Sequence, residues 1–149
     1  GWSRSPKTID GVESFVGTGS LDHFLSGSRV LVNMLPLTAE THSMLNRERL
    51  SKLPRGAYLV NVARGAHIVE NDLLTLVQSG HIAGATLDVF VTEPLTADHP
   101  FWTEPRITVT PHVSALTLRR ESIEQIAGKM RALARQEPVA DVVDRTRGY

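Results

Sequence analysis

Four short runs of mostly apolar, β-branched residues punctuate the chain, at 29–34, 57–62, 84–89 and 107–110. Each is bounded by turn chemistry: Pro36 ends the first, Pro54-Arg55-Gly56 opens the second, and Pro111 closes the fourth. Their near-continuous apolar content, without strict alternation, predicts strands buried on both faces. Helical patterns lie between and after them. Residues 21–25 and 46–53 predict short helices, and 71–79 a firmer one. In that helix Leu73, Leu74 and Val77 share a face, Glu70 and Asp72 sit at the positive N-terminal end, and Gly80 suits the C-terminal cap. The longest predicted helix spans 117–135, with Ile123, Ile126, Ala127, Met130, Leu133 and Ala134 on one stripe and Pro138 beyond it. Strand–helix alternation predicts an α/β fold, a parallel sheet flanked by helices. With no repeats or Ser/Gly linkers, one domain is the simplest organisation.

Composition narrows the function classes. Lys plus Arg and Asp plus Glu each number 16, so the formal net charge is zero and nothing argues for nucleic acid or an anionic membrane. The six arginines from Arg119 to Arg147 are interrupted by acids and read as a solvated helix face and tail. The absence of cysteine excludes disulfides and thiol catalysis, and fits a reducing, cytoplasmic setting. No apolar run approaches the roughly 18 residues that span a bilayer. The start, Gly1-Trp2-Ser3-Arg4, lacks Met and falls in mid-element, so a fragment of a longer protein is expected.

The predicted strands all end on something polar: Asn33-Met34-Leu35-Pro36, Asn61-Val62-Ala63-Arg64-Gly65, Asp88-Val89-Phe90 and Thr110-Pro111-His112. In open parallel sheets, ligands bind beyond those ends. His112 carries the side chain best suited to move a proton near neutrality. Glu93, in a Glu-Pro step 19 residues earlier, is a candidate to orient an imidazole and favour its charged form. Arg64, followed by glycine, can hold a carboxylate through two parallel hydrogen bonds. Taken singly, each has a bland reading: a structural histidine, a plain turn, a surface arginine. Together they describe a proton donor, its partner and an anion clamp. A serine hydrolase lacks its Gly-x-Ser-x-Gly, a metal site lacks clustered ligands, and Gly17-Thr18-Gly19 reads as a loop, not a dinucleotide fingerprint.

These segments resemble the D-2-hydroxyacid dehydrogenase family, and within it the glyoxylate/hydroxypyruvate reductases of the A type. The resemblance rests on Trp2-Ser3-Arg4-Ser5, Leu35-Pro36-Leu37-Thr38 with Thr41, the stretch Gly56 to Gly65, the stretch Gly84 to Phe90 followed by Glu93-Pro94-Leu95, and Thr110-Pro111-His112-Val113-Ser114-Ala115. It implies a Rossmann-type dinucleotide-binding domain over residues 1–149, incomplete at its N-terminal end. The glycine-rich loop and substrate domain are expected to be missing, and a helix and tail at about 117–149 to return toward that domain. The fragment alone is expected to be inactive.

The resemblance further implies reduction of small 2-oxoacids such as glyoxylate and hydroxypyruvate to D-2-hydroxyacids by hydride transfer. His112 would be the proton donor, Glu93 its partner and Arg64 the carboxylate and carbonyl anchor. Leu35, Pro36, Thr41, Val62, Ala63, Arg64, Asp88, His112 and Ser114 match cofactor-lining positions. NAD-selective relatives place an acid after the second strand for the ribose hydroxyl. Here the matching place holds Ser3, Arg4, Ser5 and Lys7, with no acid until Asp10, which suits a 2′-phosphate. NADP(H) is therefore the expected cofactor, with NAD(H) possible, and a homodimer the expected assembly. The rival expectation is a non-catalytic, dinucleotide-sensing scaffold, since a corepressor branch keeps the same fold.

Overall fold

The computed structural model describes residues 1–115 and 117–145. It divides into two units, Gly1–His112 and Val113–Tyr149. The first unit runs β1 (Trp2–Ser3), β2 (Phe15–Val16), α1 (Leu21–Gly27), β3 (Val30–Asn33), α2 (Arg47–Leu50), β4 (Ala57–Asn61), α3 (Glu70–Gln78), β5 (Ile82–Leu87) and β6 (Ile107–Val109). Short 3-10 turns lie at Thr18–Ser20, Gly65–His67 and Pro100–Trp102. All four expected strands and all three expected helices of this unit form, trimmed or shifted by a few residues.

Local chemistry explains the boundaries. Gly56 takes φ 83°, a left-handed bend open to glycine, and β4 begins at the next residue. The Asn46 side chain accepts a hydrogen bond from the Arg49 backbone N–H, capping the one-turn helix α2. Asp72 of α3 accepts from the Arg47 N–H at 2.9 Å and so ties the two helices together. Glu70 and Asp72 occupy the first turn of α3, and Gly80, at φ 71°, lies just past its end.

The sheet order is β3-β4-β5-β6, every neighbouring pair parallel, with β1 and β2 forming a separate two-stranded parallel sheet. This is the parallel, helix-flanked sheet that the alternating pattern predicts, and the Rossmann-type arrangement that the resemblance implies. Register separates the two faces. Leu31, Leu59, Ala85 and Ile107 form one row across the four strands, and all are buried. They share a core with Leu21 and Leu25 of α1, Leu50 of α2, Leu73 and Val77 of α3, and Phe101. Each such side chain contributes roughly 1.5–3 kcal/mol on leaving water.

The opposite row behaves differently. Val32 is 50% exposed and Thr108 is exposed, with Val60 and Thr86 intermediate between them. Burial on both faces therefore holds for one face only. Apolar content permits a strand to be covered on both sides, but helices must supply the cover, and α1 to α3 pack on the Leu31–Ile107 row. The strands β1 and β2 were not expected; at two residues each they are too short to carry a periodicity. The turn Thr18–Ser20 occupies part of the segment read as a loop.

The second unit holds α4 (Arg119–Ala134). Its apolar stripe is exposed at Ile123, Ile126, Met130 and Leu133, and no residue of the helix is buried. Of the expected tail, 146–149 lie outside the described residues. Among the described residues, no helix is long and apolar enough to cross a membrane.

Candidate active site

Parallel pairing delivers the C-terminal ends of β3, β4, β5 and β6 to one edge, and that edge is built on two buried asparagines. Asn33 ends β3 and Asn61 ends β4, in register with each other. The Leu35 N–H donates to Asn33 Oδ1 at 3.2 Å, and Asn33 Nδ2 donates to Asn61 Oδ1 at 2.9 Å. The Ala63 N–H donates to the same Asn61 oxygen, while Asn61 Nδ2 donates to the Arg64 carbonyl at 3.1 Å. Buried amides satisfied at both ends hold their loops rigidly. The loops at Leu35-Pro36 and at Val62-Ala63-Arg64 are thus fixed relative to each other.

Arg64 keeps extended backbone angles, φ −143° and ψ 144°, as the chain enters the Gly65–His67 turn. Its guanidinium donates to the Ala63 carbonyl at 2.6 Å. Gly65 then passes directly against the backbone of Phe90, three residues past β5. A Cβ there would lie 1.9 Å from the Phe90 carbonyl carbon and 2.2 Å from its oxygen. Only glycine permits this approach, which seats the Arg64 loop against the segment leading to Glu93.

Glu93 and His112 meet. The Phe90 N–H donates to Glu93 Oε1 at 2.9 Å, fixing one carboxylate oxygen, and the other lies 2.8 Å from His112 Nδ1. A carboxylate only accepts, so Nδ1 carries the hydrogen of this bond and Nε2 is the nitrogen left for proton exchange. His112 takes φ 55°, the left-handed region that non-glycine residues enter at a cost and that recurs at functional sites. Glu70 steadies the same loop: it accepts the Val91 N–H at 3.1 Å and lies 3.5 Å from His99 Nε2. No ion pair joins Arg64 to Glu93 among the described residues.

The hydrogen bond to His112 first, and then the Phe90 N–H, holds the Glu93 carboxyl below its ordinary range. A depressed folded-state value stabilises the fold above the unfolded value of 4.5 and loses that contribution as pH falls through the folded one. We therefore expect Glu93→Gln to be less stable than wild type at neutral pH, with the difference vanishing in acid. Urea midpoints across that range would measure it. Because the Glu93 side chain is 37% exposed, screening keeps the difference below about 1 kcal/mol. A difference that persists in acid would locate the effect elsewhere.

The remaining expected residues are spread over several elements. Asp88 is buried just past β5 and accepts a hydrogen bond from Thr110 at the end of β6. Thr41 donates to the Pro36 carbonyl at 2.8 Å, closing the loop after β3. Ser3 ends β1, and Arg4, Ser5 and Lys7 follow it on the surface. The Ser3 hydroxyl donates to the Ser5 carbonyl at 2.7 Å, and Arg4 lies 3.8 Å from Glu40 of the β3 loop. Ser114 is exposed and belongs to the second unit. Sequence reasoning gave no site role to Asn33, Asn61, His67 or Glu70. A polar residue closing an apolar run was a visible signal for the two asparagines.

The sequence profile described as "D-isomer specific 2-hydroxyacid dehydrogenase, NAD binding domain" matches residues 1–114. The chain belongs to that family. Among curated members of this dehydrogenase family, the chain is 53% identical to a glyoxylate/hydroxypyruvate reductase A of Serratia proteamaculans over 148 residues. That match covers 99% of this chain and 47% of the relative, so the chain spans about half the length of the curated relatives it matches. A D-isomer specific 2-hydroxyacid dehydrogenase of Xanthobacter autotrophicus, solved in complex with NADPH and MES, superposes with a TM-score of 0.96 at 47% identity. That superposition covers 99% of this chain and 61% of the other. The NADPH-dependent glyoxylate/hydroxypyruvate reductase of Sinorhizobium meliloti, solved with NADP and sulfate, gives 0.93 at 37% identity, covering 99% and 48%. Arg64, Glu93 and His112 all lie inside the segment that carries the dehydrogenase profile.

Proposed function

We propose that this chain is the dinucleotide-binding part of an NADPH-dependent reductase that converts small 2-oxoacids, glyoxylate and hydroxypyruvate among them, to D-2-hydroxyacids. The observation that carries the reading is the His112–Glu93 pair, 2.8 Å apart beyond the ends of β5 and β6. When bound, a nicotinamide cofactor supplies the hydride. His112 gives the substrate carbonyl oxygen its proton from Nε2. Glu93 holds the ring through Nδ1, so that Nε2 is presented to the substrate. Arg64 pairs with the substrate carboxylate, on a loop that the Asn33–Asn61 bridge keeps rigid. A homodimer in the cytoplasm, with α4 and the tail returning toward a substrate domain, completes the proposal.

The donor set fits the phosphorylated cofactor. Arg4 and Lys7 are exposed cations beside Ser3 and Ser5, and Arg4 also lies 3.8 Å from Glu40 in an exposed pair. A 2′-phosphate offers Arg4 a stronger, charge-assisted partner. Leu35, Pro36, Thr41, Val62, Ala63 and Asp88 would line the rest of the dinucleotide path, and Ser114 the segment behind the nicotinamide. We expect Arg4→Ala to lower the ratio of kcat/KM with NADPH to that with NADH by about tenfold or more, through the NADPH arm alone. Equal loss with both cofactors would detach Arg4 from the phosphate.

Steady-state reduction of glyoxylate and hydroxypyruvate by the full-length protein tests the function. Turnover with NADPH exceeding that with NADH supports it. Tight cofactor binding without turnover would replace it with the dinucleotide-sensing scaffold.

A further inference from the structure

His67 is fully buried at the end of the Gly65–His67 turn, outside the proton-transfer pair, and its ring faces two backbone carbonyls. Nδ1 lies 3.0 Å from the Arg64 oxygen, and Nε2 lies 3.2 Å from the Pro36 oxygen, 31 residues away in sequence. Carbonyl oxygens only accept, so each contact is a bond only when that ring nitrogen carries hydrogen. A neutral ring holds one carbonyl, and the imidazolium holds both. The residue is fully buried, so an unmade hydrogen bond to its ring is expensive.

Both carbonyls sit where position matters. The Pro36 oxygen also receives the Thr41 hydroxyl, and the Arg64 oxygen also receives Asn61 Nδ2. The loops after β3 and β4 are joined at the strand ends by Asn33 and Asn61, and further out the His67 ring sits between one carbonyl of each. The His67 carbonyl in turn accepts the Leu45 N–H at 2.8 Å, anchoring the turn from behind.

We propose that His67 is a positioning residue that ties the Pro36 loop to the Arg64 carbonyl and so sets the spacing between the cofactor path and the substrate-binding arginine. The inference rests on the reductase reading above. It predicts that the two ring nitrogens serve different ligands. Glutamine places its amide nitrogen near the position of Nε2 and keeps the Pro36 bond. Asparagine places its nitrogen near Nδ1 and keeps the Arg64 bond.

In the full-length protein, His67→Gln is expected to raise the KM for glyoxylate and the Kd for oxamate about fivefold or more, with the NADPH Kd nearly unchanged. His67→Asn is expected to raise the NADPH Kd by a similar factor and spare oxamate. His67→Leu should weaken both. Fluorescence titration of NADPH, and of oxamate against the NADPH complex, reads these effects without turnover. Folded variants with wild-type Kd and KM values, differing only in melting temperature, would overturn the inference and leave His67 as packing. So would equal losses in Gln and Asn variants. A wild type that binds both ligands without turnover would sink the reductase reading alone, because the Kd split still judges His67. A wild type that binds neither would overturn both.

Discussion

Replacing His112 by asparagine in the full-length protein is expected to lower kcat for glyoxylate reduction by about 10²–10⁴-fold, the usual worth of a positioned general acid. Asparagine tolerates the left-handed backbone at this position, where φ is 55°, so the loop keeps its path. Its amide has no proton to give at working pH. Glu93 cannot take over. Its carboxyl is held low first by the bond to His112, and without that bond it relaxes toward an ordinary value of 4.5, still ionised near neutrality. The side chains of the pair are 49% and 37% exposed, so the urea midpoint should move little. Single-turnover kinetics would separate this chemical defect from product release. Undiminished turnover would remove His112 from the mechanism.

Gly65→Ala carries the second large effect, and it acts on stability and activity together. The added methyl would sit 1.9 Å from the Phe90 carbonyl carbon and 2.4 Å from its Cα. Those are backbone atoms of a buried residue, so no side-chain rotation relieves the clash. Either the Gly65–His67 turn lifts, carrying Arg64 and His67 with it, or Phe90 moves, carrying the N–H that fixes Glu93 Oε1. We expect a loss of roughly 3 kcal/mol or more in unfolding free energy, at the upper end for overpacking. We also expect about 10²-fold in kcat/KM from displaced catalytic groups. Gly19→Ala is the matched control: a Cβ there meets nothing within 4 Å, and its stability should stay within about 0.5 kcal/mol. Urea unfolding and steady-state kinetics on both variants decide the matter.

Much of this is legible in the sequence. The four apolar runs became β3 to β6 because β-branched residues between proline and glycine turns leave a strand few alternatives. Their places at successive strand ends made Glu93 and His112 a candidate pair, and the family resemblance implied the pairing; the two side chains lie 2.8 Å apart. What sequence could not carry was partnership. Val30 and Val32 are as apolar as Leu31, yet they are 60% and 50% exposed because register, set by β4, turns them to the less covered face. Likewise His67 reads as one more histidine until the turn aims its ring at two carbonyls 28 residues apart. Two-residue strands such as β1 and β2 exist only through each other, and neither has a pattern of its own.

The bridge between Asn33 and Asn61 has a direction. Every bond in it points the same way, from the Leu35 N–H through two amides to the Arg64 carbonyl. Reversing either amide would set oxygen against oxygen, or N–H against N–H, at a buried joint. Neither aspartate nor leucine can stand in for Asn61, although both approach its shape. Aspartate cannot donate to the Arg64 carbonyl, and leucine cannot receive Asn33. The edge that carries the site therefore has one handed wiring, and its loops lock together as a set or not at all.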